Sequence, residues 1–331
     1  MTTGHRARWR VLAAAGLTVG LLGCQEAGPQ PGTPRPLVVA SFYPLYEFAR
    51  QVAGDRAEVV SLVPPGVEPH DWEPAPADVA RVEKAALFVY NGAGFDPGAE
   101  RLGKNVAAAG RPVVEATAGL PLMAVDIRGG GKDRAHKGHG HGHKHAGEPP
   151  KAATAGERDP HVWVDPVLAK AQVELIRSAL AKVDPANAAA YAERAAAFAA
   201  KLDGVHGAYE RGLAECARRE IVVSHTAFTY PAHRYKLVQV GVMGLSPEAE
   251  PSPAELARVV RTVRQVKAKV IFFETLVSKR VADTIAAEVG ASTMVLNPIE
   301  GLTPDEAKAG KDYLGLMGEN LTNLRTALEC K

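Results

Sequence analysis

Histidine supplies the side chain most ready to do chemistry here, and its placement falls into two patterns. Five histidines (His136, His139, His141, His143 and His145) sit within ten residues, separated by glycine and lysine. Three more stand alone beside prolines or at the end of an apolar run: His70 in Glu68-Pro69-His70-Asp71-Trp72, His161 in Asp159-Pro160-His161-Val162-Trp163, and His225 in Val223-Ser224-His225-Thr226. Neutral imidazole is a preferred ligand for zinc, copper and nickel. The dense tract has almost no apolar side chain from Gly129 to Pro150, so it cannot bury a core; it reads as a loop of low complexity that attracts metal. The isolated three lie where a stiffened turn or strand exit can present a side chain to a cleft. Three imidazoles and one carboxylate compose a tetrahedral site that zinc accepts. His206, inside a long helical stretch, and His233, with no comparable setting, read as ordinary polar residues.

The elements that hold these residues follow from the apolar pattern. Short β-branched runs at Leu37–Phe42, Ala57–Val63, Ala86–Tyr90 and Arg111–Glu115 alternate with helical stretches, the signature of a parallel sheet with crossover helices. The alternation resumes with strands at Glu220–Ser224, Leu237–Val240, Val270–Glu274 and Ser292–Leu296. Between the two sets, Asp184-Pro185 opens an alanine-rich stretch reaching about Arg218, which at 1.5 Å per residue would extend roughly 45 Å. The expected class is therefore α/β, with two lobes of mainly parallel sheet joined by one long helix. The expected division is 37–183 for the first lobe (with the histidine loop at 129–157), 184–218 for the linking helix, and 219–331 for the second lobe.

Ahead of the first strand, Arg6, Arg8 and Arg10 precede the apolar run Val11–Leu22 and then Gly23-Cys24. A basic head, about a dozen apolar residues and a small residue make an export signal, too short to span a bilayer comfortably. Leu21-Leu22-Gly23-Cys24 resembles the bacterial lipobox, which implies cleavage after residue 23 and lipidation of Cys24. Residues 24–36, rich in Pro and Gly, read as a tether. The chain is expected outside the cytoplasm, lipid-anchored to the cell membrane or periplasmic. Of the three cysteines, Cys216 and Cys330 remain as a disulfide candidate in an oxidising compartment, the alternative being two free thiols. The net charge of +2 over 331 residues gives no electrostatic footprint for nucleic acid.

Enzyme signatures are weak. The sequence has no His-Glu-x-x-His and no Gly-x-Ser-x-Gly, and Gly98–Asn105 approaches a P-loop but carries Asn105 where a hydroxyl would hold magnesium. The reading is that the chain is not an enzyme.

Taken together, the lipobox, Gly66-x-x-Pro-His-Asp-x-Glu-Pro74, Asp159-Pro-His-x-Trp-x-Asp-Pro166, Val223-Ser-His-x-Ala-Phe228 and the intervening histidine-rich loop resemble the zinc-binding substrate-binding lipoproteins of ABC importers. The resemblance covers nearly the whole chain beyond the signal. It implies two α/β lobes with a rigid backbone helix, and His70, His161 and His225 as ligands of a transported Zn²⁺. Many members place an aspartate after the last strand, where this chain has Asn297; the Asn297-Pro-x-Glu-x-Leu-Thr303 version resembles a branch whose glutamate coordinates, implying Glu300, with water as the alternative fourth ligand. The resemblance further implies a membrane permease as partner, a monomer, and the histidine tract as an auxiliary low-affinity metal collector. Manganese or iron binding, or surface adhesion, are the alternative roles within the same family.

Overall fold

Among the described residues, eight strands form two four-stranded parallel sheets, and each sheet reverses its strand order at the centre. The computed structural model describes residues 1–2, 35–125, 158–247 and 251–331. The first sheet has the order β2-β1-β3-β4, from β1 (Leu37–Ala40), β2 (Glu58–Ser61), β3 (Leu87–Tyr90) and β4 (Val113–Glu115). The second repeats the plan as β6-β5-β7-β8, from β5 (Glu220–Val223), β6 (Val238–Gly241), β7 (Val270–Phe273) and β8 (Ser292–Val295). The order reverses beside β1 and β5, so each sheet leaves a crevice at the carboxyl ends of its strands, where such folds bind ligands.

Alternation along each strand decides what every face touches. Val38, Ala40, Leu87 and Val89 point into a core that also takes Ile221, Val223 and Phe272 from the second sheet. Their neighbours Val39, Phe88 and Tyr90 face outward, onto α2 (Pro76–Lys84) and α3 (Pro97–Ala108). Val222, Val240 and Ile271 do the same against α7 (Pro253–Val266) and α8 (Arg280–Val289). The sheets thus share one inner core, filled by α1 (Tyr43–Ala53), α4 (Pro166–Val183), α5 (Ala188–Gly212) and α10 (Tyr313–Leu328). Residues 35–331 form one compact unit.

The long helix α5 is shorter than its sequence pattern predicts. Pro185–Asn187 forms a separate 3₁₀ turn, and the α-helix stops at Gly212 rather than near Arg218. Beyond it, Cys216 forms a disulfide with Cys330, which follows α10. Phe198, in the first half of α5, meets Phe48 of α1 in a tilted contact at 5.9 Å between centroids; Tyr209, in the second half, donates its hydroxyl to Met317 O of α10 at 2.8 Å. One helix therefore packs against both halves of the chain.

The stretch Gly98–Asn105 is no phosphate loop: it lies inside α3. A Cβ at Gly98 would come within 2.7 Å of Pro74, and one at Gly103 within 2.5 Å of the Tyr90 ring, so these glycines serve close packing. Three helices escaped the sequence pattern: α3 itself, α6 (Thr229–Arg234) and α9 (Pro304–Lys308). The last two are too short to show a period of 3.6. Among the described residues, no helix is long and apolar enough to cross a membrane.

Candidate metal centre

Four segments from distant parts of the sequence meet at the carboxyl ends of the two sheets. His70 lies in the loop after β2, where Gly66 adopts φ +86° and donates its N–H to Leu302 O at 2.7 Å. The Glu68 carboxylate then accepts the backbone N–H of His70 at 3.1 Å. His161 precedes a 3₁₀ turn (Val162–Val164) that leads into α4. That helix is capped by Asp165, which accepts from Val167 N at 2.8 Å and from Arg234 Nε at 2.6 Å. His225 lies two residues beyond β5, and Glu300 lies in the loop between β8 and α9.

The donor atoms converge. His70 Nε2, His161 Nε2 and His225 Nε2 lie 3.4, 3.3 and 3.2 Å from Glu300 Oε1. His161 Nε2 is 3.4 Å from both His70 Nε2 and His225 Nε2, and one ligand atom from each of the four residues lies within 4.8 Å of every other. Donors about 2.0–2.1 Å from a tetrahedral zinc are separated by edges of about 3.3 Å. Five of the six possible edges are thus at zinc spacing. The side chains of His161 and His225 are fully buried, Glu300 is 1% exposed, and His70 is 8% exposed.

Hydrogen bonds behind two of the imidazoles fix which nitrogen faces the centre. His161 donates Nδ1–H to Asp159 Oδ1 at 2.7 Å, and His225 donates Nδ1–H to Glu274 Oε1 at 2.6 Å. Ser224 Oγ also donates to Glu274. When the rings are neutral, as metal ligation requires, the proton stays on Nδ1 and each Nε2 lone pair points inward, an arrangement that orients and strengthens a metal-ligating histidine. Below the rings, Phe42, Phe95 and Trp163 form a dry wall; Phe95 meets His70 edge-on at 4.5 Å between centroids.

The electrostatics suit a cation. Both carboxylate oxygens of Glu300 are buried without a hydrogen-bond partner of good geometry, and the three imidazoles face Oε1 at 3.2–3.4 Å. A buried carboxylate is costly unless positive charge compensates it. Burial alone would raise the Glu300 pKa, but the surrounding histidines, His225 first, outweigh it and hold it well below the usual carboxylate range. For His225 the balance runs the other way: burial favours the neutral ring, yet Glu274 and Glu300 hold its pKa well above the ordinary imidazole value. His161 is raised for the same reason, burial being outweighed by Asp159. His70 has no buttressing acid and is lowered, with burial as the main cause. Burial, followed by the nearby Glu300, pushes Glu68 up to about 9.

Asn297 plays a part different from that of a ligand. Its Oδ1 accepts the N–H of Ile299 at 2.7 Å and its Nδ2 donates to Thr275 Oγ1 at 3.2 Å, so the amide is spent on bracing the loop. Ile299 sits at φ +61°, where a β-branched residue is strained by about 1–3 kcal/mol. His206 pairs instead with Tyr235 Oη at 3.1 Å on α5, and His233 is exposed on α6. The tract His136, His139, His141, His143 and His145 and the cysteine Cys24 lie outside the described residues.

Sequence reasoning missed Asp159 and Glu274 as partners of the histidines. Both had a signal: Asp159 opens the motif around His161, and Glu274 is a lone acid closing the apolar run of β7. Asn320 of α10, which bonds Asn297 from both its amide atoms, had none.

The chain is similar to known zinc-binding proteins. The family described as ZnuA, zinc-uptake complex component A, periplasmic, matches residues 38–327. The high-affinity zinc uptake system protein ZnuA of Bacillus subtilis is 39% identical over 297 residues, covering 89% of this chain and 88% of that protein. The zinc-binding lipoprotein AdcA of Streptococcus pneumoniae is 38% identical over 288 residues, 87% of this chain but 55% of AdcA, so the chain spans about half of that relative. A crystal structure of the Zn(II)-bound ZnuA-like domain of Streptococcus pneumoniae AdcA superposes with a TM-score of 0.72 at 35% identity, covering 89% of this chain and 100% of that one.

Proposed function

The chain belongs to the ZnuA family of zinc-uptake components, and from that premise we propose that it captures Zn²⁺ outside the cytoplasm and delivers it to an ABC-type membrane permease. The observation that carries this reading is Glu300: a buried carboxylate with no hydrogen-bond partner, and three imidazole nitrogens at 3.2–3.4 Å. A divalent cation at the centre would satisfy all four donors at once. His70, His161, His225 and Glu300 are the proposed ligands, Glu300 taking the place that water would otherwise fill. Three nitrogens and one oxygen suit zinc, whereas manganese prefers a larger share of hard oxygen donors. Four protein ligands leave no open position for a nucleophilic water, which favours carriage over hydrolysis.

Export and lipidation at Cys24 complete the proposal, keeping the carrier near its permease. The tract from His136 to His145 would collect metal weakly and raise its local supply. Isothermal titration is expected to find one tight zinc equivalent, lost in His161→Ala. Tight binding unchanged in that variant would end the ligand assignment. Deleting residues 131–147 is expected to remove only weak additional equivalents.

A further inference from the structure

The loop that delivers Glu300 is held by more bonds than its length requires. Asn297 donates its backbone N–H to Asn320 Oδ1 at 2.8 Å, and Asn320 Nδ2 donates back to Asn297 O at 2.6 Å. Pro298 O accepts from Trp163 Nε1 at 2.8 Å, a bond that reaches across from the segment carrying His161. Ile299 N–H is taken by Asn297 Oδ1 at 2.7 Å. Three successive residues before Glu300 are therefore pinned, and the third is held at φ +61°, a conformation that isoleucine rarely adopts. Such strain persists only where the surroundings over-determine it, and it concentrates where geometry serves function. Asn320 is 2% exposed in the middle of α10, where an apolar side chain would be the ordinary occupant. Both halves of its amide are spent on one residue of this loop.

We propose that Asn320 and Asn297 form a clamp that fixes the Glu300 carboxylate against the three imidazoles, making Asn320 a positioning residue for metal capture. The inference rests on the reading of Glu300 as a ligand. Its physical content is preorganisation. A free glutamate would turn its carboxylate toward water; the clamped, strained loop holds it buried, facing the three imidazoles, ready for a cation. Asn320 makes no contact with the metal and acts through the loop alone.

A double-mutant cycle tests this. Zinc affinity is measured by competition with a chromophoric chelator for the full chain, Asn320→Leu, Glu300→Gln and the double variant. The expected loss in Asn320→Leu is about 10- to 100-fold, the range for outer-shell partners of a metal site. In the Glu300→Gln background the same change is expected to have little further effect, because the group it positions has gone. Asn320→Asp keeps the acceptor for Asn297 N–H and loses the donor, so it should show an intermediate loss; it replaces Asn320→Leu in the cycle if that variant does not fold. Asn323→Ala is the control: it removes the Asn323 Nδ2 bond to Val295 O at 2.9 Å, one turn along α10, and should leave affinity unchanged. Wild-type affinity in Asn320→Leu, an equal loss in both backgrounds, or an equal loss in Asn323→Ala would each overturn the clamp. Failure of the unmodified chain to bind zinc tightly would instead defeat the reading of the site and take the clamp with it.

Discussion

Glu274 stands 2.6 Å from His225 Nδ1 because β7 and β5 are parallel neighbours whose ends lie side by side. The acid closes one strand and the histidine follows the other, so the sheet itself sets the pair. Glu274→Gln keeps the shape but removes the charge that favours a basic Nε2. Zinc affinity is expected to fall about 10- to 100-fold, and Asp159→Asn should do the same through His161. Chelator competition on each variant checks it; affinity within twofold of the unmodified chain would show that these acids do not tune the ligands.

Zinc must displace protons to enter. Against burial, Glu274 and Glu300 hold the His225 pKa well above the ordinary imidazole value and Asp159 raises that of His161, so the metal-free site favours the protonated rings. Metal ligation requires them neutral, hence binding at pH 7 releases protons and affinity climbs as pH rises toward their raised values. Calorimetry in two buffers of different ionisation enthalpy should give different apparent binding heats. Identical heats would mean that the rings are already neutral.

Much of this was legible in the chain. The three converging histidines announced themselves because each sits in a motif stiffened by proline or ending a strand. What the sequence hid is what depends on long-range register. Glu274 reaches His225 only because β7 lies beside β5, and Asn320 reaches Asn297 only because α10 folds back under β8. The length of α5 was overread because Leu213–Arg218 continues a helix-compatible composition; it ends where Cys216 turns to meet Cys330.

The same charges predict how the metal-free protein responds to pH. The depressed Glu300 pKa contributes stability that is present above its unfolded value, near 4.5, and is lost as pH falls below it. The raised His225 pKa contributes stability that is full below about 6.5 and is lost as pH rises through the folded-state value. Metal-free protein should therefore melt at its highest temperature between these limits and weaken on the alkaline side. Zinc binds the neutral ring, so the loaded protein should lose that alkaline decline. Melting curves from pH 4 to 10, with and without zinc, make the comparison, and parallel profiles would contradict it.

The proposed ligand histidines should not be equivalent on removal. His225→Ala strands Glu274 and Glu300, both nearly fully buried, without the imidazolium that compensates them. Breaking a buried charge pair by deleting one partner costs about 3–5 kcal/mol, so metal-free His225→Ala should be strongly destabilised at neutral pH. His70, unlike His161 and His225, has no acid behind its Nδ1; it meets Phe95 edge-on, and its side chain is the most exposed of the four. Water can occupy its place in His70→Ala, leaving three protein donors and a metal-free fold nearly as stable as before. Urea unfolding of both metal-free variants measures the difference. Equal destabilisation would mean that the buried acids, and not the ring between them, are protonated in the empty site.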